Sequence, residues 1–518
     1  MVQLLTEFED RSDDAAVIDA EGVTTWAQLN DRANRLVHSL RGAGVQPGDR
    51  VALLAGNRRE IEEVYVACAS AGWLTVPINW HFSADEVAYV LDDSGATAII
   101  VDGELEQVAT EALALSPATA PRSRLVMSAS PSAPFDSYED TLASASHTEP
   151  DDQMLGGVMF YTSGTTGRPK GVKNTSFALG LPPEILKLSA GAMASVGIPS
   201  PGRTLLCGPQ YHSAQWAFSF LPLVAGTTVV MQRKFVPEET LELIDRHAIT
   251  NVHLVPTQFV RLLRVDGVSK RNFRGDSLQL VLHGAAPCAP SVKRAMIDWW
   301  GAKITEYYGA TEGGVVTIIS ADEWLAKPGS VGRAMPIVEI KIVGDDNVEA
   351  SPGHEGVIHV RSLIGSDFEY LNEPGKTSEA HSEPGFFTLG DIGYIDDDGY
   401  LFLSDRKIDM IISGGVNIYP AEIESILITH PAVMDVAVFG VPNDEFGEEV
   451  RAAVQLTPNT RYTPALDRDL KQMVRTKMAA YKVPKNIDVV AEMPRSDAGK
   501  LLKRQLRAPF WEGTGRKI

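Results

Sequence analysis

From Thr25 onward, apolar residues recur first at helical spacing and then in short continuous runs, and the alternation repeats through the first hundred residues. Such a series marks βαβ units, in which parallel strands are covered by helices. The first helix opens on a capping-box pattern, Thr25 with Gln28. It sets Leu29, Ala33, Leu36 and Leu40 on one face before Gly42, Gly44 and a Pro-Gly-Asp turn end it. Strand-like 51–54, helical 58–71, strand-like 74–78, helical 84–91 and strand-like 97–101 follow in order. The stretch 116–150, rich in Ser, Ala and Pro, has no sustained period and reads as a surface connection. A second series runs from 205 to about 319. Short strands with Asp-Gly and Pro-Gly turns then fill 329–403, the texture of a small antiparallel β subdomain. Beyond Asp405 helices and strands mix again, predicting a small α+β domain.

At 518 residues the chain exceeds what one core holds, so two or more domains are expected. Its net charge of −20 argues against general affinity for nucleic acid or anionic membrane. The tail from Arg468 is the exception, with 13 Lys or Arg against 5 Asp or Glu, +8 where the rest carries −28. Cys68, Cys207 and Cys288 are too far apart in sequence for a disulfide framework or close-spaced zinc site, which predicts a reducing compartment. The acidic start lacks the features of a signal peptide. The most apolar stretch, 216–231, contains Pro222 and Gly226 and is shorter than the ~20 residues a membrane span needs. A cytoplasmic enzyme is expected, with no nucleic-acid partner and no integral membrane segment.

The strongest chemical signal is Tyr161-Thr-Ser-Gly-Thr-Thr-Gly-Arg-Pro-Lys170-Gly, which follows a strand-like run at 157–160. Glycines let such a loop turn its amides toward phosphate oxygens, and four Ser and Thr hydroxyls and Lys170 add donors and charge. It is not the common P-loop, which requires Gly-Lys-Ser/Thr in succession. Nor does any G-x-S-x-G elbow occur, which sets a serine hydrolase aside.

At this string the chain resembles the adenylate-forming superfamily of acyl-CoA synthetases, coumarate-CoA ligases, firefly luciferase and peptide-synthetase adenylation domains. The resemblance covers about 25–507, with the motifs in family order. It implies an α/β fold with a large N-terminal domain (1–404) of βαβ-type layered subdomains plus the small β subdomain. A hinge (405–410) and a mobile C-terminal α+β domain (411–518) would follow. It also implies ATP, Mg2+ and coenzyme A as cofactors, a small-molecule carboxylic acid as substrate, and a homodimer as a possible assembly. Thr162, Ser163, Gly164, Thr165, Thr166, Gly167 and Lys170 would hold the phosphates. Gly284, Ala285 and Ala286 would border adenine. Tyr307-Tyr-Gly-Ala-Thr-Glu312 matches a family signature in which Tyr308 stacks on adenine, Thr311 meets the α-phosphate and Glu312 holds magnesium, with Tyr307 and Gly309 completing the segment. Carboxylate and hydroxyl oxygens suit a hard cation, and the second metal ligand is expected from Thr162.

By the same resemblance His212, in Pro209-Gln-Tyr-His-Ser, would sit near the acid's carboxylate, whereas His253 and His283 read as structural. Asp391 and Arg406 would hold the ribose. Lys500, in Met493-Pro-Arg-Ser-Asp-Ala-Gly-Lys, would reach the reacting carboxylate and phosphate as a mobile point charge. Gly414 and Gly415 would line a pantetheine channel. One position departs: two residues after Arg406 the family usually has Asp or Lys, and this chain has Ile408. The expected activity is acyl-CoA synthesis through an acyl-adenylate, from a hydrophobic acid given Trp216, Phe218 and Val255 near His212 in the pattern. Loading of a carrier protein is the alternative, and a non-catalytic nucleotide-binding relative is a distant one.

Overall fold

The computed structural model describes residues 2–116, 120–162, 168–175, 180–344, 346–383, 385–406, 409–413, 416–443, 445–495 and 501–512. Helix Trp26–Gly42 starts as the capping box dictates: Thr25 Oγ1 accepts from the Gln28 amide at 3.2 Å, and Gln28 Oε1 accepts from the Thr25 amide at 2.9 Å. Its buried face, Leu29, Ala33, Leu36 and Leu40 with Trp26 and Val37, packs into the first core. The strands that follow form a parallel sheet in the order Asp136–Ser137, Ser123–Met127, Ala98–Asp102, Arg50–Leu54, Leu74–Pro77, Gly157–Val158. Helices cover both faces of this sheet, so its central strands are apolar on both sides.

Two of those strands fall inside 116–150, which is more than a surface connection. Ser123–Met127 pairs with Ala98–Asp102 in parallel, and helix Tyr138–Ser144 packs beside it. A five-residue strand in a Ser/Pro-rich setting is too short to show a period, and only its neighbours identify it.

A second sheet carries the parallel series Ala15–Asp19, Thr228–Met231, Arg203–Leu206, Asn251–Leu254, Leu280–His283 and Ile304–Ala310. At Ile304–Ala310 the hand of pairing changes. Gly314–Ile319, Ser330–Ala334, Leu401–Arg406, Phe386–Ile395, Gly356–Ser362 and Val338–Val343 continue the same sheet antiparallel. The small β subdomain is therefore the outer half of this sheet and not a detached unit.

A short antiparallel ribbon, Phe160–Thr162, Lys170–Asn174 and Phe368–Tyr370, bridges the first sheet to the antiparallel half. The last sheet, Val416–Ile418, Ile411–Ser413, Gly447–Leu456, Val433–Asn443 and Asn486–Val490, has its own core under helices Pro420–Leu427 and Pro464–Lys477. Among the described residues it meets the body through side-chain hydrogen bonds and through helix Pro420–Leu427, which lies against strand Leu401–Arg406. Arg264 donates to the carbonyls of Val433 and Met434 at 2.5 and 3.0 Å, and Tyr419 Oη donates to Glu355 at 2.6 Å. Among the described residues no helix is long and apolar enough to cross a membrane.

Candidate active site

The glycine-rich string is a hairpin, and its two ends are what the fold fixes. Thr162 closes one strand and Lys170 opens the next, paired directly across the ladder. The pairing is close at Gly171, where a Cβ would stand 3.1 Å from the Tyr161 ring and 3.2 Å from Leu371 and press both aside. Ser163, Gly164, Thr165, Thr166 and Gly167 lie outside the described residues.

The third strand of the ribbon adds a residue the sequence did not single out. Tyr370 places its ring 4.7 Å from Lys170 Nζ and donates its hydroxyl to Glu312 Oε1 at 2.9 Å. Three segments far apart in sequence thus bring a cation, an aromatic face and a carboxylate to one point. Burial and neighbouring Lys376 hold the Lys170 ammonium below the usual lysine range, against the pull of Glu373, Glu312 and Glu379. Burial and the nearby Glu312 raise the Tyr370 hydroxyl, so it stays a donor. Tyr370 left only a weak trace in the sequence, a short alternating run from Phe368, because its partner strand is some two hundred positions away.

Strand Ile304–Ala310 orders the next group. Residues on a strand alternate faces, so Tyr307 and Tyr308 must point opposite ways. Tyr308 donates to Asp391 Oδ2 at 2.7 Å and so stands on the side of the predicted ribose group. Asp391 in turn pairs across the ladder with Arg406, whose side chain lies outside the described residues. Tyr307 turns to the other face, where its hydroxyl lies 3.0 Å from His253 Nε2. A register shift between Tyr308 and Gly309 sends the chain on toward Thr311 and Glu312, and only glycine fits there, since a Cβ at Gly309 would fall 2.1 Å from the Gly314 carbonyl.

Gly284, Ala285 and Ala286 follow strand Leu280–His283, parallel to and beside Ile304–Ala310. Ala285 sits at φ 65°, a left-handed conformation that costs a residue with a Cβ about 1–2 kcal/mol. Beneath this loop and the tyrosine pair lies a buried ionic contact: Lys293 Nζ donates to Glu306 Oε2 at 2.6 Å, with His283 Nε2 3.7 Å from the same oxygen. Burial pulls Lys293 down and Glu306 up, and their mutual contact opposes both. The His283 ring is held well below its usual range by burial and by Lys293.

His212 caps helix Ser213–Ala217, and the next residue ties that helix to the site: Ser213 Oγ and Thr311 Oγ1 are 2.7 Å apart. The loop before His212 is clamped from behind. Asn57 donates to the carbonyls of Gly208 and Gln232 and accepts from the Gln210 amide. Gln210 Nε2 donates to Glu62 at 2.8 Å. Burial pushes the Glu62 carboxyl up to about 8.

What the chain would offer a magnesium ion is the Glu312 carboxylate and the hydroxyl of Thr162, the ladder partner of Lys170. Oxygen donors of this kind fit a cation carried in on nucleotide phosphates. Lys500, Gly414, Gly415 and Ile408 lie outside the described residues. The structure therefore links Thr162, Lys170 and Glu312 through the ribbon and Tyr370, joins Thr311 to Ser213, the neighbour of His212, and ties Tyr308 to Asp391. Tyr307 stands behind them.

The model of the AMP-binding enzymes matches residues 6–364, and that of the AMP-binding enzyme C-terminal domain matches 422–500. A fatty acid–[acyl-carrier-protein] ligase of Streptomyces coeruleorubidus is 32% identical, over 96% of this chain and 94% of the relative. A long-chain-fatty-acid–CoA ligase of Mycobacterium tuberculosis is 34% identical, over 94% and 93%. The solved o-succinylbenzoate CoA synthetase of Bacillus subtilis, in complex with an acyl-adenylate intermediate, superposes with a TM-score of 0.82 at 28% identity. That match covers 98% of each chain.

Proposed function

The chain belongs to the AMP-binding enzymes of the adenylate-forming superfamily, has their mixed α/β fold and is an adenylating ligase, and from that premise we propose that it is an AMP-forming acyl-CoA synthetase for a hydrophobic carboxylic acid. The observation that carries most weight is the meeting of Lys170 and Glu312 on Tyr370 beside Thr162. It supplies, at one point, a charge for phosphate oxygens and a carboxylate for the cation that accompanies them.

On this reading the acid's carboxylate attacks the α-phosphorus of ATP in line and pyrophosphate leaves. The nucleophile is already an anion, so no general base is needed. Magnesium, held by Glu312 and Thr162, would supply charge neutralisation on the phosphates. Lys170, its ammonium partly desolvated, meets oxyanion density as it develops, and Thr311 is held for the α-phosphate by Ser213. Tyr308 and Asp391 orient the nucleoside, which turns the attack into a positioned, nearly unimolecular step. The thiol of coenzyme A then attacks the acyl carbonyl of the mixed anhydride, forming the thioester and releasing AMP.

We assign 1–404 to the ATP- and acid-binding body, 405–410 to a hinge and 411–518 to a mobile C-terminal domain. That domain would bring Lys500 to the first step and Gly414 with Gly415 to the second. The last sheet has a hydrophobic core of its own, which suits such a motion. One relative loads an acyl carrier protein, which keeps a protein-borne thiol as the second reading of the acceptor.

Product analysis by mass spectrometry decides between them. The protein is incubated with ATP, magnesium and pooled fatty, alicyclic and aromatic acids, with and without coenzyme A. Acyl-CoA is the expected product. Acyl-AMP that accumulates unaltered by coenzyme A overturns the synthetase reading in favour of the carrier. In the same assay Lys500→Ala nearly abolishes acid-dependent pyrophosphate release yet leaves thiolysis of a supplied acyl-adenylate largely intact.

A further inference from the structure

His212 stands between two anchors. One residue after it, Ser213 Oγ lies 2.7 Å from Thr311 Oγ1. Two residues before it, Gln210 is buried and held from several directions. Its amide donates to Asn57 Oδ1 at 3.1 Å, and Tyr65 Oη approaches its carbonyl at 3.5 Å. Its side-chain Nε2 donates one hydrogen to Glu62 Oε1 and the other to Ser219 Oγ, both at 2.8 Å. Ser219 in turn donates to the Gln215 carbonyl at 2.6 Å, on the helix that His212 caps. Asn57, Glu62 and Tyr65 come from one segment that opens helix Glu60–Ala71, and Glu62 and Tyr65, three apart, share a face of it. A displacement of Gln210 would therefore swing His212 about Ser213.

The hold on the Gln210 side chain depends on the state of one carboxyl. Glu62 has no solvent exposure. Among the described residues neither Glu62 Oε2 nor Gln210 Oε1, both buried, has a hydrogen-bond partner. Both atoms are acceptors while Glu62 is a carboxylate, so neither can serve the other. A proton on Oε2 makes it a donor, and acid and amide are then complementary. A carboxylate in the same place would be a buried charge met by one neutral amide.

The charges around Glu62 are engaged elsewhere. On helix Trp26–Gly42, Arg32 binds Glu63 and Glu139, Arg35 binds Asp31, Arg41 binds Asp152 and His38 lies against Thr148. Of the strands beneath, Leu74–Pro77 and Gly157–Val158 carry no ionisable group, and Arg50 of Arg50–Leu54 donates to the Ser94 carbonyl. On its own helix Glu60 meets Arg58, while burial raises the Tyr65 hydroxyl and the Cys68 thiol, which stay neutral. The side packed across from it presents Gln210 and Ser219, both uncharged, with His212 two residues on. Burial, against the hydrogen bond from Gln210, holds the Glu62 carboxyl at about 8.

We propose, resting on the adenylating reading above, that Glu62 is a positioning residue: an uncharged carboxyl that holds Gln210 and, through it, keeps His212 in place for the carboxylate of the incoming acid. Ionisation of Glu62 sets its two oxygens against Gln210 Oε1 and loosens the loop that carries His212. Binding of the acid then weakens, and the effect falls on the KM of the acid more than on that of ATP.

The test measures acid-dependent pyrophosphate release by the full-length protein at pH 7 and pH 9, with the fastest of hexadecanoate, octanoate and benzoate. For a group titrating at about 8, about a tenth of the protein keeps its proton at pH 9, so the wild-type KM for the acid rises about tenfold between the two. Glu62→Gln, which offers Gln210 a donor and an acceptor and has no proton to lose, shows a rise of less than about twofold. Glu62→Ala raises this KM at least about tenfold at pH 7, whereas a merely structural role would lower the folded fraction and kcat and leave KM alone. A wild-type KM that does not rise, or that rises equally in Glu62→Gln, overturns the proposal, as does a folded Glu62→Ala with an unmoved KM. Should Glu62→Ala fail to fold, the pH comparison decides. If no acid drives pyrophosphate release by the wild type, the adenylating reading itself falls and the proposal falls with it, a result distinct from a KM indifferent to pH.

Discussion

Two lysines in this chain face glutamates under opposite conditions. Lys293 has no solvent exposure, meets Glu306 at 2.6 Å and lies 4.8 Å from the centre of the Trp324 ring. Lys170 stays half-buried over Tyr370, and its link to Glu312 runs through the tyrosine ring and hydroxyl. The interior pair is complete as it stands, and removing either partner would strand a charge in a low-dielectric setting. The rim group is arranged loosely enough for a ligand to enter among its members. Charge that holds a backbone in place is bonded tightly and kept dry. The rim cation is kept near water, with an aromatic face beside it.

The largest effect should come from breaking the interior pair. Lys293→Ala is expected to lower stability by about 3–5 kcal/mol, read from the denaturant midpoint, whereas Lys293→Met with Glu306→Leu should recover most of that loss. Activity lost from Lys293→Ala with the midpoint unmoved would break the contrast. At the rim the signs reverse. Lys170→Ala should cut the adenylation rate roughly 10²–10³-fold while shifting the midpoint by less than about 1 kcal/mol.

Acidity probes the interior again. Glu62 and Glu63 are fully buried, and desolvation raises their carboxyls to about 8 and about 7 from 4.5. Between those values the folded chain keeps protons that the unfolded chain has lost. The stability these protons confer is thus complete below 4.5 and falls as pH rises toward 8, by at most about 1.4 kcal/mol per pH unit for each carboxyl. Glu62→Gln should flatten the midpoint-versus-pH curve above pH 5, and a curve as steep as the wild type's would remove Glu62 from this account. The smallest change is expected from Tyr370→Phe. It keeps the ring under Lys170 and removes one hydrogen bond, worth about 1 kcal/mol, so kcat/KM should stay within about tenfold of the wild type.

The parts of the site legible in the sequence were those whose chemistry is local. The Tyr161–Lys170 hairpin and the 307–312 segment declare themselves by residue types in a fixed order. The helix at Trp26–Gly42 does so through its capping box and its apolar face. What stayed hidden depends on which strands become neighbours. Tyr370 is an unremarked aromatic until Phe368–Tyr370 pairs with Lys170–Asn174. Strand parity foretells that Tyr307 and Tyr308 diverge, but the partners that give each face its meaning, Asp391 and His253, come from distant segments. His253 read as structural, and in the fold its ring meets the Tyr307 hydroxyl on one side and Gln215 on the other. Lys293 and Glu306 look like two surface charges in a list of residues, and only burial makes them a pair.

The ribbon that joins Thr162, Lys170 and Tyr370 also sets a timetable for the chain's birth. Lys170 and Tyr370 are 370 − 170 = 200 positions apart. At a synthesis rate of about 5–20 residues per second, roughly 10–40 s pass between the emergence of one and of the other. Throughout that interval the first two strands of the ribbon lack their third. On the proposed reading, the phosphate-facing lysine waits through that interval for the aromatic ring that seats it.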